Sequence, residues 1–568
     1  MTPKFFRKKR NRNKEVEPDE IFMDSQNMPK FDTQQFEGRI ERPITKKTII
    51  GLGLILSFFI IIFLWRAEML QINQGEHYLE LSKNISLDKK IIFAKRGIIY
   101  DRNGVFLAWN EDVNSLATTT DDFSERKYIN QAGLSHVLGY VSSPQKDSSG
   151  FYWQKEFIGQ AGVEKFYDQV LNGVNGEKLT EVNVFGQIQS ENIVNDPEDG
   201  SNLELAVDSR IQAQLYSSIV DLFSVVGYMG GAGVIMNIQS GEILAIVSFP
   251  EYDAKQLMSG DTTIVNSYLL DKRHPFLNRA VSGLYAPGSI VKPHIAIGAL
   301  NEGVIDPDKK ILSAGSISLP NPYFPELKSV FMDWKVHGWV NMREAIAVSS
   351  DVYFYEIGGG YKSQRGIGIG NIERYSKMFG FGEKTGIDMT GEVVGNIPNP
   401  EWKQKTFNGD IWRIGDTYHT VIGQYGFQVT PVQVVRAVAA IASGGKILTP
   451  SIITHSTSTE VLPLRTVDLN PSYYKIAQEG MRMAVTAGTA NNLNVPFVKV
   501  AAKTGSAQTG TRNQYINSWI TGFFPYNNPK YAFAIVMEKG PAKTSIPASL
   551  VMAELLWWMN DNTPEYFE

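Results

Sequence analysis

The sequence predicts an α+β protein. A single N-terminal transmembrane helix precedes an elongated, mixed α/β pedestal and a C-terminal domain built on an antiparallel sheet flanked by helices. Three observations carry this. Thr48 to Trp65 is an uncharged, mostly apolar run. Residues 67–230 mix short strand, turn and helix patterns. After residue 231, hairpin patterns near both ends bracket helical stretches, the signature of one antiparallel sheet with helices against it.

The expected divisions are a tail at 1–47, the spanning helix at 48–66, the pedestal at 67–230 and the sheet domain at 231–568. The tail is polar, with Lys4, Arg7, Lys8, Lys9, Arg10, Arg12 and Lys14, and is predicted to be disordered. The apolar run has 18 residues. At ~1.5 Å each they reach roughly 27 Å, enough for the hydrocarbon core. Basic residues concentrate before it, so the positive-inside rule keeps the N-terminus in the cytoplasm and exports everything after Arg66. Tail and run are too long for a cleaved signal peptide, and no small-residue cleavage site follows. No later stretch is expected to span. Ile295 to Leu300 is short, and Leu550 to Met559 carries Glu554 and reads as an amphipathic helix on a sheet.

In the pedestal, Arg96 to Gly104 reads as a strand entering an Asn-Gly turn. Gly159 to Tyr167 opens a helix. Leu203 to Val207 alternates as a strand, and Asp208 caps a helix starting at Ser209. In the sheet domain, Gly233 to Ile238 and Glu242 to Ser248 form one hairpin, and Ser518 to Phe524 and Tyr531 to Glu538 another.

Composition excludes several classes. A net charge of −4, with no strongly basic patch beyond the tail, argues against nucleic-acid binding. There is no cysteine, which excludes disulfides, thiol catalysis and cysteine-ligated zinc. The seven histidines show no metal-ligand spacing, and no G-x-S-x-G elbow exists for a Ser-His-Asp hydrolase. No metal and no cofactor is implied. His337 near Asp333 reads as a surface turn before a helix rather than a metal site. Asp416 and Thr417 read equally as cleft lining or structural turn, and the Trp557-Trp558 pair as core packing.

The chemistry lies in three short motifs. Ser289 and Lys292 are three residues apart, nearly one helical turn, so on a helix they share a face. Serine is a poor nucleophile at its free pKa, and a neighbouring amine whose charged form is disfavoured can take its proton. Pro293 is tolerable only if Ser289 lies in the first turn. Ser349-Ser350-Asp351 follows, then Lys503-Thr504-Gly505. Each motif alone is common; S-x-x-K, S-x-D and K-T-G in that order are the set of the penicillin-recognising serine enzymes. Lys384-Thr385-Gly386 is a second K-T-G, but it sits among glycines and turn residues. Lys503 ends the strand-like run Phe497 to Ala502, so it is the expected member of the site.

With these motifs, the chain resembles the class B penicillin-binding proteins from its anchor to near its C-terminus. Arg96 to Gly104, Gly241 to Ala245, Tyr285 to Lys292 and Gly488-Thr489-Ala490 match the family pattern. Ser349 to Tyr355, Gly415-Asp416-Thr417, Ile422-Gly423-Gln424 and Thr430 to Gln433 are most similar to the elongation-type penicillin-binding protein 2. Tyr425 departs, standing where the family often has glycine. The resemblance implies a penicillin-binding transpeptidase domain that cross-links peptidoglycan stem peptides through a Ser289 acyl-enzyme and is a target of β-lactams. It implies Lys292 as base and Ser349 as proton relay. Asp351 would orient Lys292 or the substrate amide. Lys503 would attract the terminal carboxylate, with Thr504, Gly505 and Ser506 on the substrate side. The Ser289 and Ser506 N–H groups would form the oxyanion hole.

It also implies a membrane partner, a SEDS-family, RodA-like glycosyltransferase, alongside other elongation-complex proteins. Gly51, Gly53 and Ser57 place small residues on the helix where another helix can approach. Residues 67–230 show no catalytic glutamates of a glycosyltransferase domain. The alternatives are a division-type transpeptidase, a D,D-carboxypeptidase passing the acyl group to water, and a β-lactam sensor or scaffold. A sensor needs an intracellular signalling domain, which the tail does not supply.

Overall fold

The computed structural model describes residues 46–76, 78, 87–112, 123–182, 188–321, 323–455 and 461–568. The tail to residue 45, expected to be disordered, and His77 lie outside them. The chain divides into two units, residues 1–88 with 182–187, and residues 89–181 with 188–568. In the first, the apolar run forms the helix Lys46–Glu68, continued by a π-helical turn, Met69–Asn73. It is long and apolar enough to cross a membrane. Its large apolar side chains are exposed from Ile49 to Trp65.

The second unit holds the pedestal from residue 89, apart from 182–187, and the large sheet. A four-stranded pedestal sheet runs Leu203–Glu204, Ile99–Tyr100, Phe106–Glu111, Glu125–Tyr128. The predicted Asn-Gly turn follows Ile99–Tyr100. The Asp101 carboxylate accepts the N–H groups of Asn103 and Val105, at 2.8 and 2.9 Å, an Asx turn. Its other oxygen accepts the Ser209 hydroxyl at 2.7 Å, tying the turn to the next helix. That helix, Ser209–Val226, starts as predicted, with the Asp208 carboxylate accepting the Arg210 N–H. Arg96 and Arg126 grip the two oxygens of Glu164 at 2.6 and 2.8 Å, all three side chains fully buried. Removing one partner strands a buried charge, at about 3–5 kcal/mol. Arg96 and Glu164 are thus structural.

The large sheet has five antiparallel strands in the order Ile243–Phe249, Gly230–Asn237, Tyr531–Pro541, Tyr515–Phe524, Ala501–Thr509. Side chains alternate between faces along a strand. Val234 and Met236 enter one core cluster with Val432 and Trp519; Ile235 enters the other with Leu215, Ile520 and Leu555. Helix Pro431–Ala442 covers the first face. Helices Ser209–Val226 and Ser549–Asn562 cover the second. Both faces are buried, which is why these strands read as nearly continuous apolar runs.

Three expectations change. Helix Ser209–Val226, placed in the pedestal by the division at 230, is a layer of the large sheet. The strand expected at Phe497 to Ala502 begins only at Ala501 and runs through the K-T-G to Thr509. Phe497 instead stacks against Trp557 and Phe567 near the C-terminus, at 5.1 and 5.3 Å between ring centroids. Trp557 is accordingly half-exposed rather than core; Trp558 packs against the second cluster.

Candidate active site

The nucleophile segment is a 3-10 turn, Gly288–Val291, leading directly into the α-helix Lys292–Asn301. Pro293 falls in the first turn, where its missing N–H breaks no helical bond. The helix is buried from Lys292 to Leu300, so its apolar run serves the core. Gly288 has φ +57° and donates its N–H to Gly423 O at 2.9 Å. A Cβ on Gly288 would stand 2.7 Å from Ser506 O, so glycine lets this turn touch the edge strand Ala501–Thr509. A Cβ on Gly505 would stand 2.8 Å from both Ile290 Cγ2 and Pro287 O. The K-T-G glycine is therefore a packing requirement of the same contact. Ser289 itself is half-buried.

Lys292 has no exposed side-chain surface. Its Nζ donates to Asp351 Oδ1 at 2.6 Å, Ser349 O at 2.8 Å and Ser349 Oγ at 3.3 Å. Among the described residues these are its hydrogen-bond acceptors; Ser289 Oγ is not one of them. Ser349 sits between helices Met342–Ala347 and Asp351–Gly359, at φ +59°. That left-handed conformation is strained for a residue with a Cβ and persists only where surrounding contacts hold it. Ser350 caps the second helix, its side chain accepting the Tyr353 N–H.

On the edge strand, burial alternates with period two. Lys503, Gly505 and Ala507 are buried, Thr504 is half-buried and Ser506 is exposed. Lys503 Nζ donates to Ser349 Oγ at 2.7 Å and to Thr504 O at 2.8 Å. The Ser349 hydroxyl thus bridges two lysines from different elements. Burial holds the Lys503 pKa well below the usual lysine range, and the charge of Lys292 pushes the same way; Asp351 opposes both. The Thr504 hydroxyl shares a 2.6 Å hydrogen bond with Thr489.

The structure brings Lys292, Ser349, Asp351 and Lys503 into one hydrogen-bonded cluster, with Ser289, Thr504, Gly505 and Ser506 beside it. It does not bring in Lys384, which is exposed on a turn. Asp416 and Thr417 resolve to structure. Asp416 accepts from Lys403 Nζ and Arg413 N, both at 2.6 Å, and Thr417 accepts the Trp412 indole N–H. His337, expected on a surface turn, has a buried side chain instead. Its side chain is 5% exposed and packs on Trp334, with Nε2 3.5 Å from Asp333 Oδ1. Burial pushes its pKa down, against the pull of Asp333.

Known proteins match the chain over most of its length. The family model of the penicillin-binding protein transpeptidase domain matches residues 231–556. The chain belongs to the penicillin-binding protein family. The model of the penicillin-binding protein dimerisation domain matches residues 117–205. The peptidoglycan D,D-transpeptidase MrdA of Haemophilus influenzae is 30% identical over 479 residues, covering 78% of this chain and 70% of that protein. Penicillin-binding protein 2 of Pseudomonas aeruginosa, solved in complex with WCK 5153, gives a TM-score of 0.69 at 29% identity, covering 85% of this chain and 100% of that one. Penicillin-binding protein 2 of Helicobacter pylori, solved with MreC, gives 0.68 at 28% identity, covering 84% and 99%. Within the family the chain is most like the elongation-type penicillin-binding protein 2, as its motifs implied.

Set against the family pattern, the Tyr425 departure has a physical account. Tyr425 has φ +59°, the conformation a glycine adopts freely. Here the ring is boxed by Trp402, Phe407 and Trp412, at 5.7, 6.1 and 5.8 Å between centroids, with Lys403 Nζ 5.8 Å above it. Aromatic packing and a cation–π contact offset the backbone strain. Sequence reasoning missed Asp333 and Trp334, which bond the Ser349 segment, and gave Thr489 no role. Only Thr489 carried a signal, since Gly488-Thr489-Ala490 matched the family pattern.

Proposed function

We propose that the chain is a serine-type peptidoglycan D,D-transpeptidase of cell elongation. One observation carries the mechanism: the Ser349 hydroxyl lies 2.7 Å from Lys503 Nζ and 3.3 Å from Lys292 Nζ, the lysine three residues after Ser289. In acylation, Ser289 Oγ attacks the carbonyl between the two D-alanines and its proton passes to the lone pair of Lys292 Nζ, which acts as a neutral amine in this step. The C–N bond breaks, and D-alanine leaves as an amine after taking a proton through Ser349. An amine of a second stem peptide then attacks the ester and gives up a proton by the reverse path. Asp351 keeps Lys292 oriented. The carboxylate of the substrate meets the Thr504 hydroxyl and the positive potential of Lys503; its arrival favours the charged lysine that burial alone disfavours. Ser289 and Ser506 N–H groups form the oxyanion hole, worth about 3–4 kcal/mol per donor in the transition state.

The helix Lys46–Glu68 anchors the chain in the cytoplasmic membrane, N-terminus inside, with the catalytic part on the far side. The polymerase partner is a RodA-like glycosyltransferase, supported by the family resemblance. A scaffold protein of the MreC kind fits the Helicobacter pylori complex. The test is labelling of the purified chain by fluorescent penicillin. Wild type is expected to carry one adduct on Ser289, and Ser289→Ala none. An adduct on another residue of that variant would overturn the assignment.

A further inference from the structure

We propose that Asp333, together with Trp334, is a positioning residue for acylation, holding Ser349 in the left-handed conformation that keeps its hydroxyl between the two lysines. The proposal rests on the reading of Ser289 as nucleophile given above.

The Asp333 side chain is completely buried. Its Oδ2 accepts from Ser350 Oγ at 2.9 Å, Val352 N at 3.0 Å and Ser313 Oγ at 3.0 Å. Ser350 and Val352 flank Asp351, so one carboxylate oxygen grips the start of the helix on both sides of the residue that binds Lys292. Ser350 Oγ lies 3.0 Å from Ser313 Oγ as well, which closes a small buried triangle of oxygens. Asp333 Oδ1 accepts the Trp334 backbone N–H at 2.8 Å. The Trp334 indole then donates to Ser349 O at 3.3 Å, the carbonyl that Lys292 also holds. Residues 349 to 352 are therefore fixed from a segment 15 to 20 residues upstream, between strands Lys328–Met332 and Gly338–Val340.

A residue with a Cβ keeps a positive φ only when its neighbours over-determine it. Lys292 alone cannot supply this, because its Nζ must also accept and release a proton. Asp333 and Trp334 supply contacts that do not change during the reaction. Among the described residues none of their hydrogen bonds reaches Ser289 or the edge strand, so they act through Ser349 and Asp351.

The experiment is stopped-flow acylation of the full chain in detergent by a fluorescent penicillin, separating the limiting rate from the dissociation constant of the first complex. Asp333→Asn preserves shape but places an NH2 where an acceptor is needed. It is expected to lower the limiting rate about 10- to 100-fold, as small misplacements of catalytic groups do, with initial binding unchanged. Trp334→Phe keeps an aromatic ring, though a smaller one, and removes the indole donor. It is expected to lower the limiting rate about threefold to tenfold, the scale of one hydrogen bond, with an unchanged unfolding midpoint. Since Trp334 is 59% exposed, this variant decides the matter if Asp333→Asn does not fold. Wild-type limiting rates in the folded variants overturn the proposal. So does a loss of initial binding and stability in step with the rate, which is what a merely structural role gives. Peptide mapping of the wild-type adduct separates the two readings. A label away from Ser289 removes the nucleophile assignment; a label on Ser289 with unaffected variants removes only the positioning role.

Discussion

The chain contains K-T-G twice, and the two copies have nothing in common beyond their letters. Lys503-Thr504-Gly505 lies inside the edge strand, its lysine wholly buried and bonded to Ser349 Oγ. Lys384-Thr385-Gly386 lies on a turn, its lysine exposed. The second copy is organised by its threonine. Glu392 accepts the backbone N–H and hydroxyl of Thr385, and also the Gly386 N–H at 3.1 Å. The glycines differ too. Gly505 is glycine because the Ser289 turn packs on it, while Gly386 is glycine because its φ is +81°. A tripeptide thus has no fixed role: burial of the lysine and the partner facing the glycine decide it.

The sharpest way to break this comparison is to remove each lysine. Lys503→Ala is expected to slow acylation by penicillin roughly 10²- to 10⁴-fold, the range for losing a proton-handling group. Lys384→Ala should leave the rate unchanged and shift stability within about 0.5 kcal/mol. Comparable rates for the two variants, measured by labelling time course, would show that the wrong copy has been assigned.

The glycines give a smaller and more selective effect. Gly505→Ala forces a methyl against Ile290 and Pro287, an overpacking of about 1–3 kcal/mol that falls on the nucleophile turn. At 1.36 kcal/mol per decade, a fall in acylation of about tenfold is expected. Gly386→Ala meets only Thr449 Cγ2, at 3.4 Å, and pays in backbone strain instead, about 1–2 kcal/mol. Its signature is a lower urea midpoint at an unchanged acylation rate. An acylation defect in Gly386→Ala would break the distinction.

The smallest effect is a pH dependence of stability. The Lys503 pKa is lower in the folded chain than in the unfolded one, chiefly through burial. Between those two values the unfolded state binds more protons, so stability rises with pH. The destabilisation is complete below the folded pKa and has vanished above the unfolded value, ~10.4. Lys503→Met removes this term. The wild type should therefore gain on the variant as pH rises through that window, read from urea midpoints at several pH values. Lys384→Met should run parallel to wild type. A wild type that loses stability relative to Lys503→Met as pH rises through the window would contradict the buried, proton-shedding lysine.

How much was legible beforehand follows from where each interaction lies along the chain. Local chemistry was readable. The apolar run gave the helix Lys46–Glu68, apolar stretches broken by turn residues gave both hairpins, Asp208 gave its cap, and Pro293 placed Ser289 at the helix start, where it lies in the 3-10 turn Gly288–Val291. These depend on neighbours a few residues away, where periodicity and backbone sterics act. The order of the three motifs was readable because each holds its residues on one short element. What the tertiary structure alone decided are pairings across long separations. Phe497 could extend a strand or stack on Trp557, and side-chain burial against the C-terminal helix chose the second. Helix Ser209–Val226 could have capped the pedestal, but its apolar face fits the large sheet. His337 looked like a surface residue until Trp334 covered it. Asp333 showed in the sequence only as a neighbour of His337; its three partners on Oδ2 arrive from Ser313, Ser350 and Val352. The sequence by itself determined which groups can do the chemistry, because reactivity belongs to residue type and short spacing. The folded chain decided which of two equal lysines is stripped of water and which serine is held in a strained conformation, because desolvation and strain exist only where distant segments meet.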